Sequence, residues 1–93
     1  MSLTEHEIVP EHYPGYVILS SYLYYHKDYS LFTDNYFDMM CKHLLDNYHL
    51  VTNHRCKSYV NILTEENLRC GSLYHLREDC YPLGIRYLAL EYI

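Results

Sequence analysis

Four side chains in this 93-residue chain have the types and the spacing to hold a ligand. Tyr24 and Tyr25 are adjacent aromatics, and Asp34 and Asp38 are carboxylates four residues apart. On a helix, that offset puts both acids on one face, one turn apart. If the tyrosines end one helix and the acids begin the next, a tight hairpin brings flat aromatic faces to two acceptor carboxylates and to the free N–H groups of a helix start. Such a cleft suits a planar, positively charged ring carried on a hydroxyl-rich sugar. The ring lies on tyrosine, and the carboxylates accept hydrogen bonds from ribose hydroxyls or an amide. The same residues also have a plainer explanation: acids at a helix start complement its dipole, and a tyrosine pair can pack a hairpin.

The run over 22–40, Y-L-Y-Y-H-K-D-Y-S-L-F-T-D-N-Y-F-D-M-M, resembles the N-terminal nicotinamide-binding module of bacterial NAD-dependent DNA ligases, here as a stand-alone small protein of phage type. That module has an aromatic-rich helix end, a loop with an acid and a Pro, then an acid-x-x-Tyr-Asp helix start followed by Leu. Tyr22, Leu23 and Tyr24 match the helix end, Asp28 the loop acid, Asp34 and Phe37-Asp38 the helix start, and Met40 the apolar position after it. The resemblance implies that the segment grips the nicotinamide mononucleotide (NMN) half of NAD, with Tyr24, Tyr25, Asp34, Phe37 and Asp38 at the ligand-contacting positions. Phe37 departs from the pattern by lacking the hydroxyl of the family's Tyr. Ser30 stands where the family has the loop Pro, which leaves the loop less rigid; Tyr25 occupies a position that is His or Tyr in the family. The resemblance lies within 14–50, and residues beyond Leu50 match nothing in it.

The chemistry of ligation itself is missing from the sequence. It requires a lysine in a Lys-x-Asp-Gly setting to take the adenylate. Lys27, Lys42 and Lys57 are instead followed by Asp-Tyr-Ser, His-Leu-Leu and Ser-Tyr-Val, and Gly15, Gly71 and Gly84 form no phosphate loop. No nucleophile–base arrangement stands out, so the expectation is a non-catalytic binding module. Cys41, Cys56, Cys70 and Cys80 include no C-x-x-C pair, and reduced thiols with no metal are expected. The pairs Cys41/His43 and His54/Cys56 are the nearest approach to a zinc pattern.

Composition narrows the partners. The formal charge is -5, and the seven Lys and Arg residues are scattered, so the chain lacks the basic patch whose counterion release drives nucleic-acid binding. Thirteen Tyr against two Phe and no Trp suit either a half-exposed core or a dedicated tyrosine-lined surface. The polar, acidic start does not read as a signal peptide, and no window is apolar for long enough to cross a bilayer, so a cytoplasmic location (that of a host cell, for a phage protein) is expected. The partners implied are NMN or NAD, and a protein: a ligase-like enzyme that the module completes. Alternatively, the chain is a phage-encoded inhibitor of a host defence or DNA-processing protein, its Tyr-rich surface meeting the target.

The elements that must position these groups read as mainly α: a helical hairpin at about 14–27 and 34–49, followed by short C-terminal helices, in one small domain over 1–93. Pro14 fits the first turn of the first helix, although Val17, Ile18 and the tyrosines leave a strand over 16–24 open. The second helix is clearer. Thr33 can cap it, and Phe37, Met40, Cys41, Leu44, Leu45 and Tyr48 recur at the spacing of one buried face. Further on, 1–12 reads as a polar lead-in and 51–57 as loop, with a short apolar run at 59–63. A helix is expected over 65–70, started by Thr64 and ended by Gly71, and another short helical piece over 73–80. The last stretch, 83–93, fits either period.

Overall fold

The structure, a computed structural model, describes residues 8–55, 57–71, 73 and 76–92. Helix α1 (Tyr13–His26) follows a 3-10 turn at Pro10–His12. Pro14 stands in its first turn, and neither Pro nor Gly interrupts the chain from Tyr16 to His26. The segment is helical throughout, so the strand left open over 16–24 does not form. Val17, Ile18, Leu19 and Leu23 are all enclosed, and a helix whose successive positions are all buried must be covered on every side. α1 is therefore the central helix, contacted by α2 (Asp34–Asp46), α4 (Tyr59–Ile62) and α6 (Leu83–Ala89).

In α2 the expected start holds: Thr33 Oγ1 accepts from the Tyr36 amide at 3.2 Å, with Asp34 in the first turn. Met40, Cys41 and Leu44 form the buried stripe, with Phe37, Leu45 and Tyr48 half-buried along its margins. The helix stops at Asp46, short of the expected 49. Asn47 donates from its side-chain amide to the His43 carbonyl (3.0 Å), and the Tyr48 hydroxyl donates to the Leu63 carbonyl (2.7 Å). The Asn47 backbone amide keeps its own bond to His43 (3.0 Å), so the ladder closes there, and the Tyr48 hydroxyl ties the next residue to a distant part of the chain.

The C-terminal half corrects several expectations. Val51 is fully buried, so 51–52 belong to a short helix, α3 (His49–Thr52), rather than to a loop. The apolar run at 59–63 contains α4. Helix α5 (Glu65–Cys70) has the expected Thr64 cap, accepting from the Asn67 amide at 3.1 Å, and ends at Gly71 in the left-handed conformation, φ 66°. The helical piece expected over 73–80 is only a 3-10 turn, Glu78–Cys80, in the described part; residues 72, 74 and 75 lie outside it. Ile8, expected in a polar lead-in, joins the core.

Residues 76–82 are fastened to α1 by polar bonds. His26 Nε2 meets the Leu76 carbonyl at 3.0 Å, and Glu78 takes both the Tyr22 hydroxyl (3.0 Å) and the Lys27 ammonium (3.1 Å). Tyr81, 1 % exposed, packs edge-on against the Tyr22 and His26 rings, and its hydroxyl shares a hydrogen bond with Ser21 Oγ at 3.2 Å. The fold is mainly helical, with no strand among the described residues.

Candidate functional site

The turn between α1 and α2 builds the site. α1 ends because the amides of Lys27 and Tyr29 both donate to the Leu23 carbonyl, at 3.1 and 2.9 Å, and Asp28 between them takes a positive φ of 55°. Asp tolerates that conformation better than most residues, which accounts for an acid at this loop position without a ligand. Ser30 Oγ then donates to the Phe32 carbonyl (3.1 Å), so the position that lacks a proline carries a local hydrogen bond instead. Phe32 is buried against the rings of Tyr16 and Tyr36 and anchors the linker immediately before the Thr33 cap. The last turns of α1 and the first turn of α2 are thereby held facing one another.

Between them lies a cleft of about 410 Å³. Tyr24, Tyr25, Asp34, Phe37 and Asp38, the five residues singled out from the sequence, all line it. Tyr24 and Tyr25 are exposed, with ring centroids 5.0 Å apart and planes at 87°. They form a corner rather than a slot: a planar group can lie on one face and meet the edge of the other. Asp34 makes no ion pair among the described residues, whereas Asp38 pairs with Lys42 one turn along at 3.1 Å. Beneath Asp38, Cys41 is buried; desolvation first, and then the Asp38 charge, push its thiol up to about 12, so it is a core group and not a nucleophile.

Comparison with protein families, with characterised proteins and with solved structures finds no match. The residues of the cleft are therefore what bears on its chemistry. Its inner wall was not anticipated from the sequence. Ser20 and Ser21 precede Tyr24 and Tyr25 by four residues, so they lie on the same face of α1 and supply polar hydroxyls behind the aromatic corner. That offset was a usable signal. Both hydroxyls are engaged, Ser20 Oγ donating to the Val17 carbonyl (3.2 Å) and Ser21 Oγ bonding Tyr81, but each retains accepting capacity. Ser30, Leu31, Phe32 and Asn35 complete the turn side. Gly71 closes the far side from the end of α5, where a Cβ would stand 3.4 Å from Asp38 Oδ1. No local pattern points to Gly71, because only the packing of α2 against α5 brings it there.

Elsewhere, no group of three or more His, Cys, Asp or Glu among the described residues is placed to hold a metal ion. Of the residues in the nearest zinc pattern, Cys56 lies outside the described part. No helix is long and apolar enough to cross a membrane, among the described residues.

Proposed function

We propose that the chain is a non-catalytic binding module, related to the NMN-binding part of NAD-dependent DNA ligase, whose cleft takes the nicotinamide–ribose portion of NMN or NAD, alone or in completing a partner enzyme. The observation that carries this reading is convergence. Four residues chosen for their chemistry and a fifth, Phe37, marked by the resemblance, spread over 24–38, line one cleft with a volume in the range of small-molecule sites. The tyrosine corner offers a face and an edge to the ring, and Asp34 and Asp38 offer acceptors to ribose hydroxyls or the carboxamide. Phe37 supplies apolar contact but no hydroxyl. The test is calorimetric titration with NMN and NAD, with the Asp34→Ala/Asp38→Ala double variant as control. Binding lost in the double variant supports the reading, and no heat at millimolar ligand refutes it.

One observation favours a second reading, that of a phage-encoded inhibitor binding a host defence or DNA-processing protein. Leu83, Tyr87 and Leu90 at the end of the chain are 60 %, 69 % and 60 % exposed and recur at one-face helical spacing. Exposed large apolar side chains in such a row are a common feature of protein interfaces. A stoichiometric partner recovered from bacterial lysate by the parent chain and lost with Tyr87→Ser/Leu90→Ser supports it; capture undiminished by that change counts against it.

A further inference from the structure

Resting on the first of these readings, we infer that the cleft recognises the positively charged nucleoside alone, a pyridinium riboside, and leaves any phosphate outside, so that the phosphate weakens binding. Among the described residues lining the cleft, the charged groups are Asp34 and Asp38, with no Lys, Arg or His. Lys42, the nearest cation that contacts a lining side chain, is 73 % exposed, pairs with Asp38 from outside the lining and offsets only one of the two negative charges. The remaining polar groups are neutral serines and Asn35. At the α2 start Thr33 Oγ1 takes the Tyr36 amide, and the Asp34 carboxylate stands in the same first turn, so an anion approaching the remaining amides meets a like charge. The aromatic corner acts in the same direction, since the faces of Tyr24 and Tyr25 attract a cation.

The two ends of a nucleotide therefore meet opposite responses. A cationic ring gains about two- to five-fold in affinity from the tyrosine face over its neutral, reduced counterpart. A phosphate dianion roughly 10 Å from the net single negative charge that Asp34 and the Lys42-paired Asp38 leave loses about two- to three-fold at low salt relative to the nucleoside that lacks it.

The experiment is calorimetric titration of the whole chain at neutral pH with nicotinamide riboside, its reduced dihydro form and NMN, at about 20 mM and about 300 mM salt, a change that shortens the screening length several-fold. The expected order at low salt is riboside tightest, with NMN about two- to three-fold weaker, a gap that narrows at high salt. The reduced riboside is expected to be weaker than the oxidised one. In Asp34→Asn, an exposed position outside the core, the gap between riboside and NMN nearly closes, because Lys42 already offsets Asp38, while the chain still melts cooperatively with Tm lowered by a few degrees at most. NMN binding as tightly as the riboside or more tightly at low salt overturns the inference and leaves the nucleotide-site reading standing. An undiminished gap in Asp34→Asn likewise overturns it. If neither ligand binds, both the inference and the reading beneath it fail.

Discussion

Removing one oxygen atom tests how the C-terminal segment is held against the site-bearing helix. The Tyr81 hydroxyl and Ser21 Oγ, 3.2 Å apart, are each other's partners in a region where both side chains are almost wholly enclosed. Burial pushes the Tyr81 phenol up from its ordinary value, while the bond to Ser21 pulls it back down, as expected of a hydroxyl sealed from water with one polar neighbour. Tyr81→Phe keeps the ring and its packing against Tyr22 and His26, and leaves Ser21 without its partner. The expected loss is about 1 to 1.5 kcal/mol, or about 5–10 °C in Tm for a domain of this size. Ser21→Ala strands the tyrosine hydroxyl and costs a similar amount. In urea denaturation, the double variant should then lose less than the sum of the two by about 1 kcal/mol, because the second change removes a group already unpaired. Strict additivity, or a neutral Tyr81→Phe, would show that the two hydroxyls do not depend on each other and would refute the argument.

Gly71→Ala forces a side chain into a left-handed backbone (φ 66°) and sets its Cβ against Asp38 Oδ1; a loss of about 1 kcal/mol is expected by thermal melting. Cys41 should resist alkylation at pH 8 in the native chain and react on unfolding, while the exposed Cys70 and Cys80 label in both states, as read by mass spectrometry. Since burial raises its folded value to about 12 against an ordinary 9.0, its contribution is intact below pH 9 and is lost as pH rises through that window. Cys41→Ala should flatten the alkaline fall in Tm. Glu78 has its carboxyl held below the ordinary 4.5, first by the Lys27 hydrogen bond and then by that of Tyr22. Its contribution is therefore present above that value and lost as pH falls through the folded one, and Glu78→Gln should flatten the acid limb of the Tm profile below about pH 4.5.

The helical hairpin was legible because its signals are local. Thr33 before Asp34, the 0, 3, 4, 7 recurrence from Phe37 to Leu44, and Pro14 ahead of an unbroken run each act within a turn or two of the residues they organise. Where local signals compete, the sequence misleads. The apolar recurrence runs on to Tyr48, yet the helix ends at Asn47, whose backbone and side-chain amides both donate to the His43 carbonyl. Val51 stands at the head of a largely polar run, 52–57, and is buried within α3, a tertiary placement with no sequence period. In 73–80, polar bonds from Glu78 to α1 hold the described chain, and such long-range bonds leave no periodic trace.

The same distinction governs the cleft. Two of its walls are the facing ends of a hairpin, so an adjacent aromatic pair ending one helix and carboxylates at i and i+4 beginning the next suffice to mark Tyr24, Tyr25, Asp34 and Asp38, and a four-residue offset extends the wall back to Ser20 and Ser21. The third wall depends on where α5 ends, and Gly71 can approach Asp38 only because it lacks a Cβ and adopts a left-handed turn. A glycine that ends a helix and a glycine that borders a cleft look alike in one sequence. Here a single residue has both tasks, so a substitution that relieves neither the backbone demand nor the crowding at Asp38 must disturb the helix end and the carboxylate together. If the cleft binds a ligand as proposed, affinity and stability should therefore fall in parallel at Gly71, whereas at the exposed Asp34, whose structural part is a first-turn charge on α2, affinity should change far more than stability.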